Sequence, residues 1–209
     1  MKIGIIGAGF IGAATAAAFT QAGHQVMVSN TRGPRSLFTL VNTIGCKSGT
    51  IEEAAAFSDT VLVAIPLYAY ETLDAANFAG KTVLDAGNYY PERDEAIPEL
   101  DRRETTTSEL LARHLPGANI VKAFNAIVAS DIGRDGKPRG TPDRRALPIA
   151  GDDAAAKQTV VALLDTIGYD ALDAGPLAEG WRFEKDTPVY CVPHTLETLS
   201  TGLQTATRA

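Results

Sequence analysis

Along the chain, short continuous apolar runs alternate with longer mixed or small-residue runs, the arrangement of strands buried on both faces and separated by helices. Lys2 to Ile6 reads as a buried strand, and Ala13 to Ala22 as a helix-forming run beyond a glycine-rich turn. Gln25 to Ser29 is a second strand, Ser36 to Leu40 a helix, and a short strand is expected near Cys46. Thr50 opens a helix with Glu52 and Glu53 in its first turn, where carboxylates suit the helix dipole. Thr60 to Ile65, TVLVAI, is a central strand that Pro66 ends. Lys81 to Asp85 and Asn119 to Ala123 are further strands, with a helix from Thr107 or Ser108 to His114 between them. Ala146 to Ala150, Asp153 to Ile167 and Tyr169 to Asp173 read as strand, helix and last strand. Glu92 to Glu104 is expected to be a solvated excursion and Arg134 to Arg145 a mobile loop, while the tail beyond Gly175 is a loop and a helix. No periodic repeat is present.

The turn after the first strand changes this from a generic α/β pattern to a specific one. Gly7, Gly9 and Gly12 fall at G-x-G-x-x-G spacing between a strand and a helix. Gly7 permits the sharp turn, Gly9 lets backbone approach a pyrophosphate, and Gly12 lets the helix pack on the strand. Phosphate then sits on free amides at a helix N-terminus. The expected fold is therefore α/β, a Rossmann-type doubly wound, mostly parallel sheet with a small C-terminal extension. A secretory signal is the competing reading of this apolar segment, but it has one charge, three interrupting glycines and a second strand directly after it. The segment is expected to be folded core and the protein cytoplasmic.

An acidic residue at the end of the second strand would bond the adenosine ribose hydroxyls, whereas this chain has Ser29, Asn30, Thr31 and Arg32, followed by Gly33, Pro34 and Arg35. A carboxylate repels a 2′-phosphate; hydroxyl, amide and guanidinium groups donate to it. NADP(H) is favoured over NAD(H). The alternative is a polar turn that only caps the next helix.

With 209 residues and 45% hydrophobic composition, the chain can bury one substantial core, or one core and a small appendage. The formal charge of −6, from 25 acidic and 19 basic residues, argues against nucleic acid or an anionic membrane as the main partner. Cys46 and Cys191 lack C-x-x-C spacing and read as two buried thiols, His24, His114 and His194 are scattered, and no metal is expected. No stretch after the first helix is apolar for long enough to span a bilayer.

In this fold the loops at the carboxyl ends of strands line the ligand crevice, which places Ile65, Pro66 and Leu67 beside the cofactor. Asn88-Tyr89-Tyr90-Pro91 follows another strand end and is either chemistry or a turn with two packing aromatics. Phe124-Asn125-Ala126-Ile127 carry a third strand end toward the same crevice.

The blocks GAGFIG, SNTRGP, VAIP, VKAFNAI, LPIAGDD and LDAGPL together resemble the NADPH-dependent reductases of the deazaflavin coenzyme F420, from end to end of the chain. VKAFNAI and the preceding LPG also resemble the cytoplasmic reductase domain of the six-transmembrane epithelial metalloreductases. The resemblance implies that Gly7, Ala8, Gly9, Phe10, Ile11 and Gly12 form the phosphate turn and that Asn30, Thr31, Arg32 and Arg35 clamp the 2′-phosphate. It further implies that Ile65, Pro66, Ala123 and Asn125 lie near the nicotinamide and that the segment around Pro188, Val189 and Tyr190 walls the deazaflavin pocket. The whole chain, 1–209, is then one dinucleotide-binding domain whose residues 174–209 close the acceptor side. Ala8 stands where some members have Thr, and Asn88 to Pro91 departs from the archaeal form of that loop. The acceptor is therefore left open among F420, a flavin such as FMN or FAD, and another small electrophile.

Hydride transfer between stacked planar rings needs position, orientation and exclusion of water, which fits the absence of a catalytic triad. Asn88 and Asn125 are the candidates for orienting the carboxamide or the acceptor ring, with Tyr89 on the substrate side. An imine or carbonyl reductase would instead need a proton donor, for which Lys122 and Tyr89 are the neighbours available. A non-catalytic NADP-sensing module is the third reading. A small-molecule hydride acceptor is the expected partner, and a homodimer through the C-terminal helix is expected because an exposed apolar tail is a liability.

Overall fold

The apolar runs become strands because they bury both faces, and the computed structural model describes residues 1–208. In chain order the elements are β1 (Lys2–Ile6), α1 (Phe10–Gln21), β2 (Gln25–Ser29), α2 (Phe38–Ile44), β3 (Lys47–Gly49), α3 (Ile51–Ala56), β4 (Thr60–Val63) and β5 (Thr82–Asp85). Two one-turn helices follow, α4 (Pro91–Asp94) and α5 (Pro98–Asp101), then α6 (Thr107–His114), β6 (Asn119–Lys122), α7 (Ala129–Ile132), β7 (Ala146–Gly151), α8 (Ala154–Thr166), β8 (Asp170–Asp173) and α9 (Leu196–Thr205).

The sheet has eight strands in the order β3-β2-β1-β4-β5-β6-β7-β8. β1 pairs in parallel with both β2 and β4, so the chain's winding reverses between β1 and β4. That reversal opens a crevice outside the carboxyl ends of these strands, the ligand position of doubly wound sheets. β7 is antiparallel to β6, with Lys122 opposite Ala150. The connection from β6 to β7 contains only the four-residue α7, too short a helix for the crossover a parallel pair needs.

Small residues set the helix-to-sheet distance. α1 buries Gly12, Thr15, Ala16, Ala18 and Phe19 against the sheet, and a Cβ on Gly4 would lie 2.1 Å from the Ala54 carbonyl oxygen of α3. Reciprocal capping boxes, Thr50 with Glu53 and Thr106 with Glu109, start α3 and α6; each such cap is worth about 1 kcal/mol.

Three expectations are corrected. Glu92 to Glu104 is not a solvated excursion throughout: Asp94 and Leu100 are buried, and Asp94 accepts from the backbone N–H of Leu67 at 3.1 Å and of Tyr90 at 3.1 Å. The loop from Arg134 to Arg145 is anchored at its far end, where buried Arg144 pairs with Asp170 at 2.6 Å and buried Arg145 with Asp135 at 2.5 Å. Cys46 and Cys191 are half-buried, not buried. The C-terminal helix α9 also buries Leu199, Gly202 and Leu203 on its own chain, in a cluster with Ala126, Ala146, Ala150, Phe183 and Val189. That removes the exposed-tail argument for a dimer. No helix among the described residues is long and apolar enough to cross a membrane.

Candidate functional site

The three glycines of the first turn differ in why they must be glycine. Gly7 has φ 107°, and a Cβ on it would lie 2.3 Å from the Ala64 carbonyl oxygen at the end of β4. A Cβ on Gly12 would lie 1.9 Å from the Gly7 carbonyl oxygen. These two are demanded by the chain itself. Gly9 is not: its φ is −74°, and a Cβ there meets nothing within 4 Å. The space above it opens on the N-terminus of α1, whose cap carries no side-chain hydrogen bond and whose first turn has no acidic residue. Unpartnered amides, a helix dipole and an open cradle together fit a pyrophosphate. Phe10 beside it is 90% exposed, and Ala8 and Ile11 are half-buried.

At the end of β2 the predicted residues separate. Ser29 is fully buried and its hydroxyl donates to the Ile5 carbonyl at 3.2 Å, so it serves the sheet and offers nothing to a phosphate. Asn30 orders the turn, accepting from the Arg32 backbone N–H at 3.0 Å and donating to Ser36 at 2.9 Å. Thr31, Arg32 and Arg35 are exposed on that turn. Neither arginine forms an ion pair among the described residues, whereas Arg93, Arg102, Arg113, Arg134, Arg144, Arg145 and Arg182 all do. Two unneutralised guanidiniums on an ordered turn suit a dianion.

Ile65 and Pro66 follow β4 half-buried at the crevice, and Leu67 behind them is buried. Ala123 is fully buried in the core cluster and its N–H donates to the Asp85 carbonyl at 3.0 Å. Phe124 then adopts φ 64°, a left-handed conformation that costs about 1 kcal/mol or more for a non-glycine residue. Its buried ring packs edge-to-face on Phe19, 5.9 Å between centroids. This turn off β6 brings Asn125 to Asn88.

The two asparagines hold each other in unequal roles. Asn88 Nδ2 donates to the Asn125 carbonyl at 2.9 Å, and Asn125 Nδ2 donates to Asn88 Oδ1 at 3.1 Å and to the Phe183 carbonyl at 2.9 Å. Both acceptors facing Nδ2 lack protons, which sets the orientation of the Asn125 amide. Its Oδ1 is left buried with no partner, a state that costs about 1–3 kcal/mol until a donor arrives. Asn88 is thus a brace, and Asn125 carries the unused acceptor.

Neither proposed proton donor is available at the crevice. Lys122 is fully buried, 3.0 Å from Glu184 Oε1 and donating to Thr107 Oγ1 at 2.6 Å. The Tyr89 hydroxyl donates to Asp101 at 2.8 Å, and the residue lines a cleft with Trp181 and Glu184 of the C-terminal segment. Its neighbour Tyr90 turns the other way and its hydroxyl meets that of Tyr190 at 2.5 Å. Tyr90, which sequence reasoning passed over in favour of Tyr89, is therefore the aromatic of this loop that meets Tyr190. Burial, and then the Tyr90 hydroxyl, push the Tyr190 phenol far above its ordinary value, so it stays neutral. Pro188 lies exposed two residues before it.

Burial alone would push the Glu184 carboxyl up, but the Lys122 charge and hydrogen bonds from Lys122 and Thr107 outweigh it and hold the group below 4.5. A carboxyl with a lowered folded value stabilises the fold above its unfolded value, and that contribution is lost as pH falls through the folded value. The thermal midpoint of the protein should therefore decline as pH is taken below 4.5, and less steeply in Glu184→Gln. Equal slopes by calorimetry would show that this pair does not carry the acid sensitivity.

Residues 2–89 match the family described as NADP oxidoreductase coenzyme F420-dependent. The metalloreductase STEAP3 of Rattus norvegicus is 30% identical over 188 residues, which is 88% of this chain and 36% of that protein. The chain thus spans about a third of the length of this curated relative. A solved structure of the hypothetical protein SMa0349 from Sinorhizobium meliloti is 29% identical, with a TM-score of 0.78 over 92% of this chain and 94% of the other. A protein of Arthrobacter sp. FB24 named as an F420-dependent NADP-reductase is 28% identical, with a TM-score of 0.71 over 84% of this chain and 85% of the other.

Proposed function

We propose, from the match of residues 2–89 to the family described as NADP oxidoreductase coenzyme F420-dependent, that this chain transfers hydride between NADP(H) and a deazaflavin or flavin. When bound, NADP(H) supplies or receives the hydride at its nicotinamide ring. The amides of the Gly7 to Gly12 turn and the start of α1 hold the pyrophosphate, and Asn30, Thr31, Arg32 and Arg35 hold the 2′-phosphate. Ile65 and Pro66 line the nicotinamide side, with Asn125 Oδ1 as a polar group there. Pro188, Tyr190 and Tyr90 close the acceptor side, where a planar ring is kept from water. The observation that carries the cofactor assignment is Gly9, a glycine whose backbone and surroundings do not require it and which leaves room where a pyrophosphate lies in this fold.

A ring acceptor is favoured over an imine or carbonyl because Lys122 and Tyr89 have their polar atoms engaged within the fold. The Tyr190→Ala variant is expected to raise the KM for the ring acceptor by about tenfold, through lost packing and the lost hydroxyl pair, with NADPH affinity within about twofold of wild type. Intact acceptor kinetics in a folded Tyr190→Ala protein would move the pocket elsewhere.

NADPH oxidation followed by absorbance with F420, FMN, FAD and a carbonyl and imine panel tests the reading. Turnover with F420 or a flavin is the expected result. Turnover only with carbonyls or imines would replace it by the second enzyme class, and tight NADPH binding without any turnover would replace it by a sensing module. Gel filtration with light scattering tests for a homodimer, which this reading neither needs nor forbids.

A further inference from the structure

Beneath the crevice lies a buried polar cluster that hydride transfer does not use directly. Lys122 Nζ stands at its centre, donating to Thr107 Oγ1 at 2.6 Å, to the Gly87 carbonyl at 3.2 Å and to Ser108 Oγ at 3.3 Å, and pairing with Glu184 at 3.0 Å. Thr107 reinforces the pair, its Oγ1 donating to Glu184 at 2.9 Å and its backbone N–H at 3.2 Å. Ser108 in turn donates to fully buried Asp85 at 2.6 Å, and Asp85 accepts from Tyr70 at 3.1 Å and from the Gly87 N–H at 2.9 Å. The aliphatic stem of Lys122 is held as well: a Cβ on Gly180 would lie 2.7 Å from Lys122 Cδ. A single ammonium is thereby seated from every side.

Two of its partners sit one residue from the groups that hold the Asn125 amide. Gly87 precedes Asn88, which accepts from Asn125 Nδ2, and Glu184 follows Phe183, whose carbonyl also accepts from Asn125 Nδ2. Lys122 therefore ties the loop after β5 to the C-terminal segment just where both grip one side chain. We infer that Lys122 is a positioning residue for the nicotinamide end of the site: by joining Gly87 to Glu184 it sets the Asn88 and Phe183 acceptors that aim Asn125, and so presents Asn125 Oδ1 to an N–H donor of the cofactor's carboxamide. The inference rests on the NADP(H) reading for that last step, whereas the coupling of Lys122 to Asn125 stands on the chain alone.

The test uses the whole chain carrying Lys122→Met together with Glu184→Gln, which removes both charges of the pair and leaves neither uncompensated. The first readout needs no cofactor: hydrogen exchange of the Asn125 side-chain amide by NMR, its signal assigned by its loss in Asn125→Ala. Exchange should accelerate at least about tenfold in the double variant as the two acceptors drift. The second is steady-state kinetics, in which kcat should fall about tenfold or more while binding of adenosine 2′,5′-bisphosphate changes less than about twofold. Unchanged exchange with unchanged kcat overturns the inference. Changed exchange in a protein whose wild type neither binds nor oxidises NADPH would uphold the coupling and overturn the function proposed above. Should the double variant fail to fold, Gly180→Ala displaces the lysine stem with all charges kept, and the same two readouts apply to it.

Discussion

The Gly9→Val variant should fold as the wild type does and lose NADP(H) binding by at least about a hundredfold, close to 2.8 kcal/mol. The fold is expected to survive because Gly9 has φ −74° and a Cβ there touches nothing within 4 Å. Binding is expected to fail because the added isopropyl group fills the open space over the α1 amides, where a pyrophosphate lies in this fold. Circular dichroism and a thermal melt check the first half, calorimetry with NADPH the second. The matching control is Gly12→Val, whose Cβ would lie 1.9 Å from the Gly7 carbonyl oxygen; it should unfold or strongly destabilise the protein. Normal NADPH affinity in Gly9→Val would make the turn a structural device only.

Removing either arginine of the β2 turn should separate NADP(H) from NAD(H). Arg32→Ala or Arg35→Ala should each cost about 1.5–3 kcal/mol of NADPH affinity, tenfold or more, because a charge-assisted bond to the 2′-phosphate is lost. NADH, without that phosphate, should lose less than about twofold. The two arginines are exposed and form no ion pair among the described residues, so neither substitution disturbs the fold. Raised ionic strength should weaken NADPH binding in the wild type and do so less in either variant. Equal affinities of the wild type for NADH and NADPH would leave the turn as a structural one, ordered by the bonds of Asn30 to Arg32 and Ser36.

Period and spacing made the parallel half of the sheet legible. TVLVAI can be satisfied only where both faces are covered, and strand-glycine-turn-helix order has one chirality in which to wind. The expected helix start at Thr50 likewise came from a residue that bonds its own neighbours in a capping box, whereas the helix expected to start at Thr107 or Ser108 is capped just before them, by Thr106. Corrections fell where a residue's fate depends on a distant partner. Arg144 and Arg145 look solvated until Asp165, Asp170, Asp131 and Asp135 are brought round them, and Asp94 looks exposed until the backbone of Leu67 needs an acceptor.

Within the site the same division holds. The sequence by itself determined the glycine turn, the arginines in place of a carboxylate after β2 and the segments that follow β4 and β6, because each depends on local geometry or on residue type at a fixed spacing. The tertiary structure alone decided which of two adjacent tyrosines meets Tyr190, since neighbouring side chains leave a loop in different directions and the partner lies a hundred residues away. It alone turned Ser29 into the sheet, bound Lys122 to Glu184 and left Asn125 Oδ1 unpartnered. Burial and pairing of polar groups are properties of the packed chain, set by whichever donors and acceptors the fold carries within about 3 Å of one another, and no spacing along the sequence encodes them.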